Sequence, residues 1–159
     1  MKSRLYLETT IPSYLVARPS RDLLVAAHQQ ITRDWWESRR SEFDLYVSEL
    51  ALKEVRAGDA TLASQRLELL RGIAILTSSS EILDLTEDLI AKGPIPRKAA
   101  IDAAHIATAT VHGCEYLLTW NCRHIANAEL HRGIQRVVRG YGYEAPSLCT
   151  PEEMMGEEP

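Results

Sequence analysis

The chain is 159 residues long, with 45% hydrophobic and 25% charged residues, which is the size and composition of one globular domain. Its 22 acidic and 18 basic residues give a net charge of −4, which argues against a strongly basic nucleic-acid-binding protein. Four of the acidic residues lie among the last nine, so the remainder of the chain is neutral. We therefore expect a single domain over residues 1–150, followed by an acidic tail over residues 151–159.

The cysteines and the apolar segments bear on the cellular compartment of the protein. Cys114, Cys122 and Cys149 are odd in number and form no C-x-x-C pair, so neither a disulfide framework nor a zinc ribbon is indicated. The sequence holds no run of about 18 apolar residues that could span a membrane. Glu8 comes too early for the apolar core of a signal peptide. We expect a cytoplasmic protein with reduced thiols and no membrane partner.

Short apolar segments alternate with amphipathic ones, which predicts strands alternating with helices. In chain order, the first half predicts a strand at Leu5–Leu7, a helix over residues 21–39, a strand at Phe43–Val47, a helix from its cap Ser48 through Val55, a helix from its cap Asp59 to Gly72 and a strand at Ile73–Leu76. The second half predicts a helix from its cap Ser80 to Gly93, a turn at Pro94 and Pro96, an alanine-rich helix over residues 97–112, a strand at Glu115–Thr119, a helix over residues 123–139 with a break near Gly133, and an edge strand at Ser147–Cys149. This alternation implies right-handed βαβ units. The expected α/β fold has three layers, α/β/α, around a central, mainly parallel sheet of four to five strands.

Acidic and amide side chains follow the predicted strands, where parallel α/β folds bind their ligands. Glu8 directly follows the first strand, Glu54 lies on the helix after the second, and Asn121 follows the fourth. Asp102 lies among alanine and isoleucine positions of its helix, where an unpaired carboxylate is costly. Carboxylates that meet repel one another, and clusters of oxygen ligands suit Mg²⁺ or Mn²⁺. Such an ion activates water for hydrolysis of a phosphate ester.

Each of these side chains also has an ordinary structural explanation. Glu8 is alternatively a strand-end residue in water, and Glu54 a helix-surface glutamate that pairs with an arginine. Asn121 is alternatively a turn-forming residue. Asp102 is the hardest to explain in this way, because apolar positions surround it. The spacing alone leaves open whether the four residues converge.

Four segments follow one another along the chain: YLETT at 6–10, SELALKEV at 48–55, IDAAHIATA at 101–109 and LLTWNCRHI at 117–125. In this order they resemble the PIN domain family, of the kind found in the VapC-type toxins of bacterial and archaeal toxin–antitoxin pairs. The resemblance covers residues 4–151. It implies a metal-dependent endoribonuclease that holds Mg²⁺ or Mn²⁺ with acidic residues and leaves a 5′-phosphate and a 3′-hydroxyl. It also implies an antitoxin partner and a homodimer.

The resemblance assigns the catalytic positions residue by residue. It places the metal-holding acids at Glu8, Glu54 and Asp102, and a fourth catalytic position, which orients a water, at Asn121. Two of these differ from the common family pattern, because the first and fourth positions are usually aspartate. Glu8 is one methylene longer and Asn121 carries no charge, so the site offers three carboxylates rather than four. The hydroxyls that we expect to fix the carboxylates by hydrogen bonds are those of Thr9, Ser48 and Thr119.

A set of arginines follows the fourth predicted strand. Arg132, Arg136 and Arg139 recur at helical spacing, and Arg123 precedes them. We expect Arg123, Arg132 and Arg136 to contact RNA phosphates, each adding salt-dependent affinity. The alternative is the solvated face of an amphipathic helix.

Three functions remain to be compared. The leading hypothesis is a Mg²⁺- or Mn²⁺-dependent endoribonuclease that acts as the toxin of a toxin–antitoxin pair. The alternative, motivated by Glu8 and Asn121, is a catalytically weak or inactive PIN-like domain that binds RNA or a protein. A phosphoacceptor domain is the third. The sequence opposes it, because no D-x-D-x-T follows the first strand and the third strand ends in Thr77 and Ser78.

Overall fold

A five-stranded sheet forms the middle layer of the computed structural model, which describes residues 1–157. The strands are β1 (Ser3–Leu7), β2 (Phe43–Ser48), β3 (Ala74–Leu76), β4 (Tyr116–Leu118) and β5 (Ser147–Cys149). Their order is β3-β2-β1-β4-β5, so β1 is central and β3 and β5 are the edges. Every neighbouring pair is parallel. The α/β prediction is confirmed, and the described sheet is parallel throughout.

Seven α-helices connect the described strands. They are α1 (Thr10–Val16), α2 (Leu23–Ser38), α3 (Glu49–Val55), α4 (Ala60–Leu69), α5 (Ser80–Ala91), α6 (Ala100–Val111) and α7 (His131–Gly140). Single 3₁₀ turns precede β2 at Arg40–Glu42 and α6 at Arg97–Ala99. Short polar side chains begin several helices by accepting a backbone N–H of the first turn. The capping residues of α2, α3 and α4 are Asp22, Ser48 and Asp59.

The alternation of side chains along β1 divides the core into two clusters. Tyr6 faces a cluster built from α5, α6 and α7. Leu5 and Leu7 face the opposite cluster, which contains Trp35 and Trp36 of α2. The helices therefore cover both faces of the sheet, as the predicted three-layer arrangement requires.

Two helix starts differ from the sequence-based expectation. Helix α1 was not expected, because its seven residues follow β1 almost directly and include Pro12. Proline is tolerated there because the first turn of a helix leaves its backbone N–H groups without helical partners. Helix α5 is capped by Ser79 and not by Ser80, since the Ser79 hydroxyl accepts the Ile82 N–H at 3.3 Å.

The helix predicted over residues 123–139 is wrong in its first half. Residues 122–130 form turns, and α7 begins only at His131. Asparagine side chains stabilise these turns by accepting backbone N–H groups: Asn121 accepts from Arg123 and His124, and Asn127 accepts from Glu129.

Gly133 lies inside α7 and does not break it. A Cβ built at this position would lie 3.0 Å from the Pro94 ring. The missing side chain therefore lets α7 pack closely against the turn that precedes α6.

The segment after β5 turns back onto the domain. Pro151 is buried, and Met154 and Met155 pack against the cluster that contains Trp35. The Arg39 Nε donates to the Met154 carbonyl at 3.3 Å. Of the residues expected to form an acidic tail, 158–159 lie outside the described part. Over residues 1–157, we find no helix with the length and hydrophobicity needed to cross a membrane.

The three thiols are predicted to differ in reactivity. Burial raises the pKa of all three thiols, to about 11 for Cys114 and to about 12 for Cys149, but only Cys122 is exposed to solvent. Because the thiolate is the reactive form, a disulfide reagent at about pH 8 should modify one thiol quickly in the folded protein and all three after denaturation. Cys122→Ser should abolish the fast phase. Rapid modification of two or three thiols in the native protein would contradict this burial.

Candidate active site

The carboxyl ends of β2, β1 and β4 lie side by side at one end of the sheet. Leu7 of β1 is in register with Leu118 of β4, and the Glu8 N–H donates to the Leu118 carbonyl at 3.1 Å. The side chains that follow these strands are therefore brought to one region. The residues that sequence analysis singled out lie here or on the helices that begin here.

Glu8 is buried at this end of the sheet, with 5% of its surface exposed. Its Oε1 accepts the backbone N–H of Thr10 at 3.1 Å, the hydroxyl of Thr10 at 2.5 Å and the hydroxyl of Thr119 at 2.7 Å. The Thr119 oxygen in turn accepts the Asn121 N–H at 2.9 Å. Glu8 is therefore held between the ends of β1 and β4, and the interpretation of a strand-end residue in water is wrong.

Glu54 is held by two side chains from outside its own helix. The Thr9 hydroxyl donates to Glu54 Oε1 at 2.7 Å, and the Nε2 of His105 lies 2.5 Å from the same oxygen. The imidazole itself is fully buried in α6. Glu54 is thus tied to β1 through Thr9 and to α6 through His105, and it pairs with no arginine among the described residues.

A chain of buried hydrogen bonds continues from the other side of the imidazole. His105 Nδ1 lies 2.5 Å from the Tyr6 hydroxyl, which lies 2.7 Å from the Ser48 hydroxyl. Ser48 also accepts the Ala51 N–H at 3.0 Å, which caps α3. The chain therefore leaves α3 at its N-terminus, crosses β1 and α6, and returns to α3 at Glu54.

One assignment of hydrogens satisfies every member of this chain. The Glu54 carboxylate only accepts, so His105 Nε2 donates to it, and a neutral imidazole then accepts at Nδ1. Tyr6 donates to that nitrogen, and the Ser48 hydroxyl donates to the Tyr6 oxygen. All donors thus point from Ser48 toward Glu54.

The surroundings set the ionisation of two members of the chain, Tyr6 and Glu54. Burial raises the pKa of Tyr6 well above its usual range, which outweighs the opposing hydrogen bond from Ser48 and keeps the phenol protonated. Burial also raises the pKa of Glu54, but the hydrogen bonds that its carboxylate accepts from His105 and from the Thr9 hydroxyl outweigh this effect. The pKa of Glu54 therefore lies below its usual range, and the carboxyl is ionised.

Asp102 and Asn121 meet through the loop that follows β4. Asp102 lies in the first turn of α6, and His124 Nδ1 donates to its Oδ2 at 3.1 Å. The backbone N–H of His124 donates to Asn121 Oδ1 at 3.0 Å, and that of Arg123 donates to the same oxygen at 3.2 Å. Asn121 is therefore a turn-forming residue whose amide oxygen is already engaged, while Asp102 faces the same loop.

The hydroxyls expected beside the carboxylates have different surroundings. Thr9 contacts Glu54 and Thr119 contacts Glu8, whereas the hydrogen bonds of Ser48 go to Tyr6 and Ala51. The expected arginines lie further out. Arg123 is exposed in the loop after β4, and Arg132 and Arg136 are exposed on α7.

Sequence analysis did not assign site contacts to Thr10, His105 and His124, or to Tyr6. His105 carried a signal, since it lies one helical turn after Asp102. The contact between Tyr6 and His105 joins residues 99 positions apart, which no local pattern reports. For Thr10, the available sequence signal was its position two residues after Glu8, at the end of a strand.

The oxygen donors fit a hydrated divalent cation better than an enclosed one. Within residues 1–157, no three His, Cys, Asp or Glu side chains lie close enough to hold a metal ion as a group. Each carboxylate uses one oxygen for the contacts above, which leaves Glu8 Oε2, Glu54 Oε2 and Asp102 Oδ1 without hydrogen bonds to described residues. Mg²⁺ keeps several waters and takes only one or two carboxylates, so these donors suffice for it.

Removing the Tyr6 hydroxyl tests the buried chain. Tyr6→Phe leaves the Ser48 hydroxyl without its acceptor and His105 Nδ1 without its donor, so we expect a loss of about 1–3 kcal/mol in the free energy of unfolding, measured with urea. Tyr46→Phe is the matched control, because the described residues offer its hydroxyl no hydrogen bond and Arg4 packs over its ring at 4.7 Å. The control should change stability by less than about 0.5 kcal/mol. Equal losses in the two variants would show that the chain contributes nothing.

Comparisons with known proteins agree with this architecture. The PIN domain family model matches residues 5–130, a range that includes all four candidate site residues. The crystal structure of VapBC2 from Rickettsia felis, bound to a DNA fragment from its promoter, contains a chain with a similar fold. That likeness has a TM-score of 0.53 and 17% sequence identity, and it covers 76% of this chain and 89% of the other. No curated protein matches the chain significantly. The family match over most of its length shows that this chain belongs to the PIN domain family.

Proposed function

We propose that this PIN domain is a divalent-metal-dependent endoribonuclease and acts as the toxin of a toxin–antitoxin pair. The observation that carries the proposal is the placement of Glu8, Glu54 and Asp102 at one end of the sheet. Each carboxylate is held through one oxygen and keeps the other without a hydrogen bond to described residues. Such oriented, partly unsatisfied carboxylates are suited to a hard cation and its waters.

In this proposal Glu8, Asp102 and Glu54 hold Mg²⁺ or Mn²⁺, directly or through water. A bound ion of this kind lowers the pKa of water and stabilises the oxygen that leaves phosphorus. The protein supplies orientation: Thr119 fixes Glu8 from β4, and Thr9 and His105 fix Glu54. His105 also keeps Glu54 ionised, which a metal ligand requires. Asn121 holds the loop that carries His124 against Asp102.

RNA is the proposed substrate, and Arg123 is placed to contact it. This exposed side chain lies two residues after Asn121, in the loop whose His124 contacts Asp102, and its charge can balance that of a phosphate. Arg132 and Arg136 lie further along the same segment of chain, on α7. The net charge of −4 does not oppose an RNA substrate, because the three site carboxylates would face a cation.

An antitoxin is the proposed protein partner. The similar chain in the Rickettsia felis structure belongs to a VapBC2 assembly, which supports a partner of the same kind here. We also propose that the protein acts in the cytoplasm as a homodimer. These assignments rest on the family and the shared fold.

A binding module without strong catalysis is the second candidate function. Two observations favour it: Glu8 Oε1 accepts three hydrogen bonds, and the Asn121 amide oxygen accepts two backbone N–H groups. Both oxygens are therefore less available to a cation. Metal affinity decreases when fewer ligands are free and when they carry less charge. This candidate therefore predicts RNA binding without cleavage.

Cleavage of mixed RNA distinguishes the two candidates. With Mg²⁺ or Mn²⁺ we expect the protein to cut RNA, EDTA to stop it, and Asp102→Asn to lower the rate at least about 100-fold. Glu49→Gln is the matched control, because Glu49 is exposed on α3 and makes no contact with the site carboxylates. The control should retain its rate. Cleavage that survives EDTA or Asp102→Asn would refute the nuclease proposal, and RNA binding without cleavage would favour the second candidate.

Metal affinity tests the supporting hydroxyls without any nuclease assay. Thr119→Val keeps the shape of the side chain but removes its donation to Glu8, so we expect Mn²⁺ affinity measured by calorimetry to fall about 10–100-fold. Thr110→Val is the control, because the Thr110 hydroxyl is also buried but donates to the Ile106 carbonyl of its own helix. Equal Mn²⁺ affinity in the two variants would argue against a metal ion at Glu8.

A further inference from the structure

A second cavity lies at the edge of the sheet, apart from the carboxylates. It has a volume of about 730 Å³ and runs between α7 on one side and residues 145–149, which include β5, on the other. This α7–β5 groove is within the range of roughly 300–1,000 Å³ that ligand sites occupy. The candidate active site makes no use of it.

Strand β5 lines the groove and has a hydrogen-bonded neighbour strand on one side only. Ser147, Leu148 and Cys149 all line the groove, and Leu148 is 7% exposed. Ser147 and Cys149 form their backbone hydrogen bonds toward β4, where Ser147 N–H donates to the Glu115 carbonyl at 2.8 Å and the Cys149 carbonyl accepts from Thr119 at 2.9 Å. Backbone groups of successive strand residues point to opposite sides, so the N–H and C=O of Leu148 point away from β4. An edge of this kind is a template for an added strand.

The α7 wall of the groove is positively charged. Arg132 and Arg136 are exposed and form no ion pair with a described carboxylate. Glu144 pairs with Arg139 at 3.4 Å, and Glu153, which also lines the groove, accepts the N–H and hydroxyl of Thr150 and keeps its negative charge. Among the described residues, the two unpaired guanidinium groups outnumber this one carboxylate, so the groove keeps a net positive charge for an acidic ligand.

One further polar group lacks a partner. The Nε2 of His131 is buried beside the groove without a hydrogen bond to the residues that the structure describes. A buried polar atom without a partner is costly, so a ligand that reaches it gains affinity.

The lining favours a peptide over a nucleic acid. Ile134, Leu148 and Cys149 are buried apolar residues that contribute to the groove, and they suit the apolar side chains of an extended peptide. The described lining includes no Phe, Tyr or Trp, which are the side chains on which single-stranded bases stack. A backbone edge with one free N–H and C=O pair matches another strand and not a phosphate chain.

We propose that the α7–β5 groove binds an extended acidic segment of a protein partner, which adds to β5 as a sixth strand. The segment's backbone pairs with Leu148, and its acidic side chains contact Arg132 and Arg136. This proposal is independent of the proposed metal site, since none of these residues holds or orients the site carboxylates, and it assigns Arg132 and Arg136 to a peptide in place of RNA phosphates.

The test uses the full chain and two synthetic probe peptides. One is acetyl-Glu-Val-Glu-Val-Glu-amide, and the other replaces each glutamate with lysine. Nuclear magnetic resonance of the isotope-labelled protein should show the acidic peptide shifting the backbone amides of Ser147–Cys149 and the side chains of Arg132 and Arg136. The lysine peptide should leave them unchanged.

Two controls separate charge from strand addition. Reversal of both charges with Arg132→Glu and Arg136→Glu should weaken the acidic peptide at least about tenfold. Arg71→Glu, at a side chain that is 81% exposed and far along the chain, should not. An acidic peptide that is N-methylated at each valine or each glutamate tests the backbone without altering the protein, and one of the two forms should bind at least about tenfold more weakly.

Each outcome either supports or overturns the proposal. Shifts confined to the groove, sensitive to charge reversal and to N-methylation, support the proposal. No shifts with the acidic peptide, equal shifts with the lysine peptide, or full binding of both N-methylated forms would overturn it. Shifts at these residues with an oligouridylate instead of the peptide would also overturn it and assign the groove to RNA.

Discussion

The hydrogen bond between Tyr6 and His105 is the contact on which the rest of the site depends. It joins the central strand to α6 inside the core, where both side chains are fully buried. Burial of so many polar atoms is tolerated only because each has a partner, from the Ser48 cap of α3 to the carboxylate of Glu54. The same contact sets the position of α6, and therefore of Asp102 in its first turn. The same contact therefore constrains both the packing of the core and the positions of the acidic residues.

The parallel sheet brings the other residues of the site together. Because β2, β1 and β4 are neighbours, their carboxyl ends deliver Thr9, Thr119 and Glu8 to one place without any long loop. Glu8 shows how strong this placement is. Its carboxylate is buried and accepts hydrogen bonds from two threonine hydroxyls, Thr10 after β1 and Thr119 after β4. A longer acid in place of the usual aspartate is accommodated because Thr10 and Thr119 meet its extended side chain.

Much of this arrangement was accessible from the sequence, because it follows local rules. The strands, the Ser48 cap and the sheet ends that carry Glu8 and Asn121 each leave a short-range pattern. Long-range partners leave none, so the attachment of Glu54 to His105 and of Asp102 to His124 required the structure. The helix predicted from residue 123 shows a different limit. Ile134 and Val137 have helical spacing, but Asn121 and Asn127 compete for the backbone upstream, and such competition is stronger than weak periodicity. The open edge of β5 depends on sheet order, which spacing does not encode.

The central position of β1 has a consequence for the order in which the protein is made. This strand emerges first from the ribosome, yet its two neighbours are β2 and β4, and β4 ends only at Leu118. During synthesis, β1 can pair early with β2 but must wait for its second partner, β4, which lies more than 100 positions away, and closing so long a loop is entropically slow. A truncated nascent chain therefore has Glu8 and Glu54 but no Thr119 to hold the former and no loop to meet Asp102. The carboxylates therefore reach their supported positions only after β4 and the loop that follows it have been synthesised.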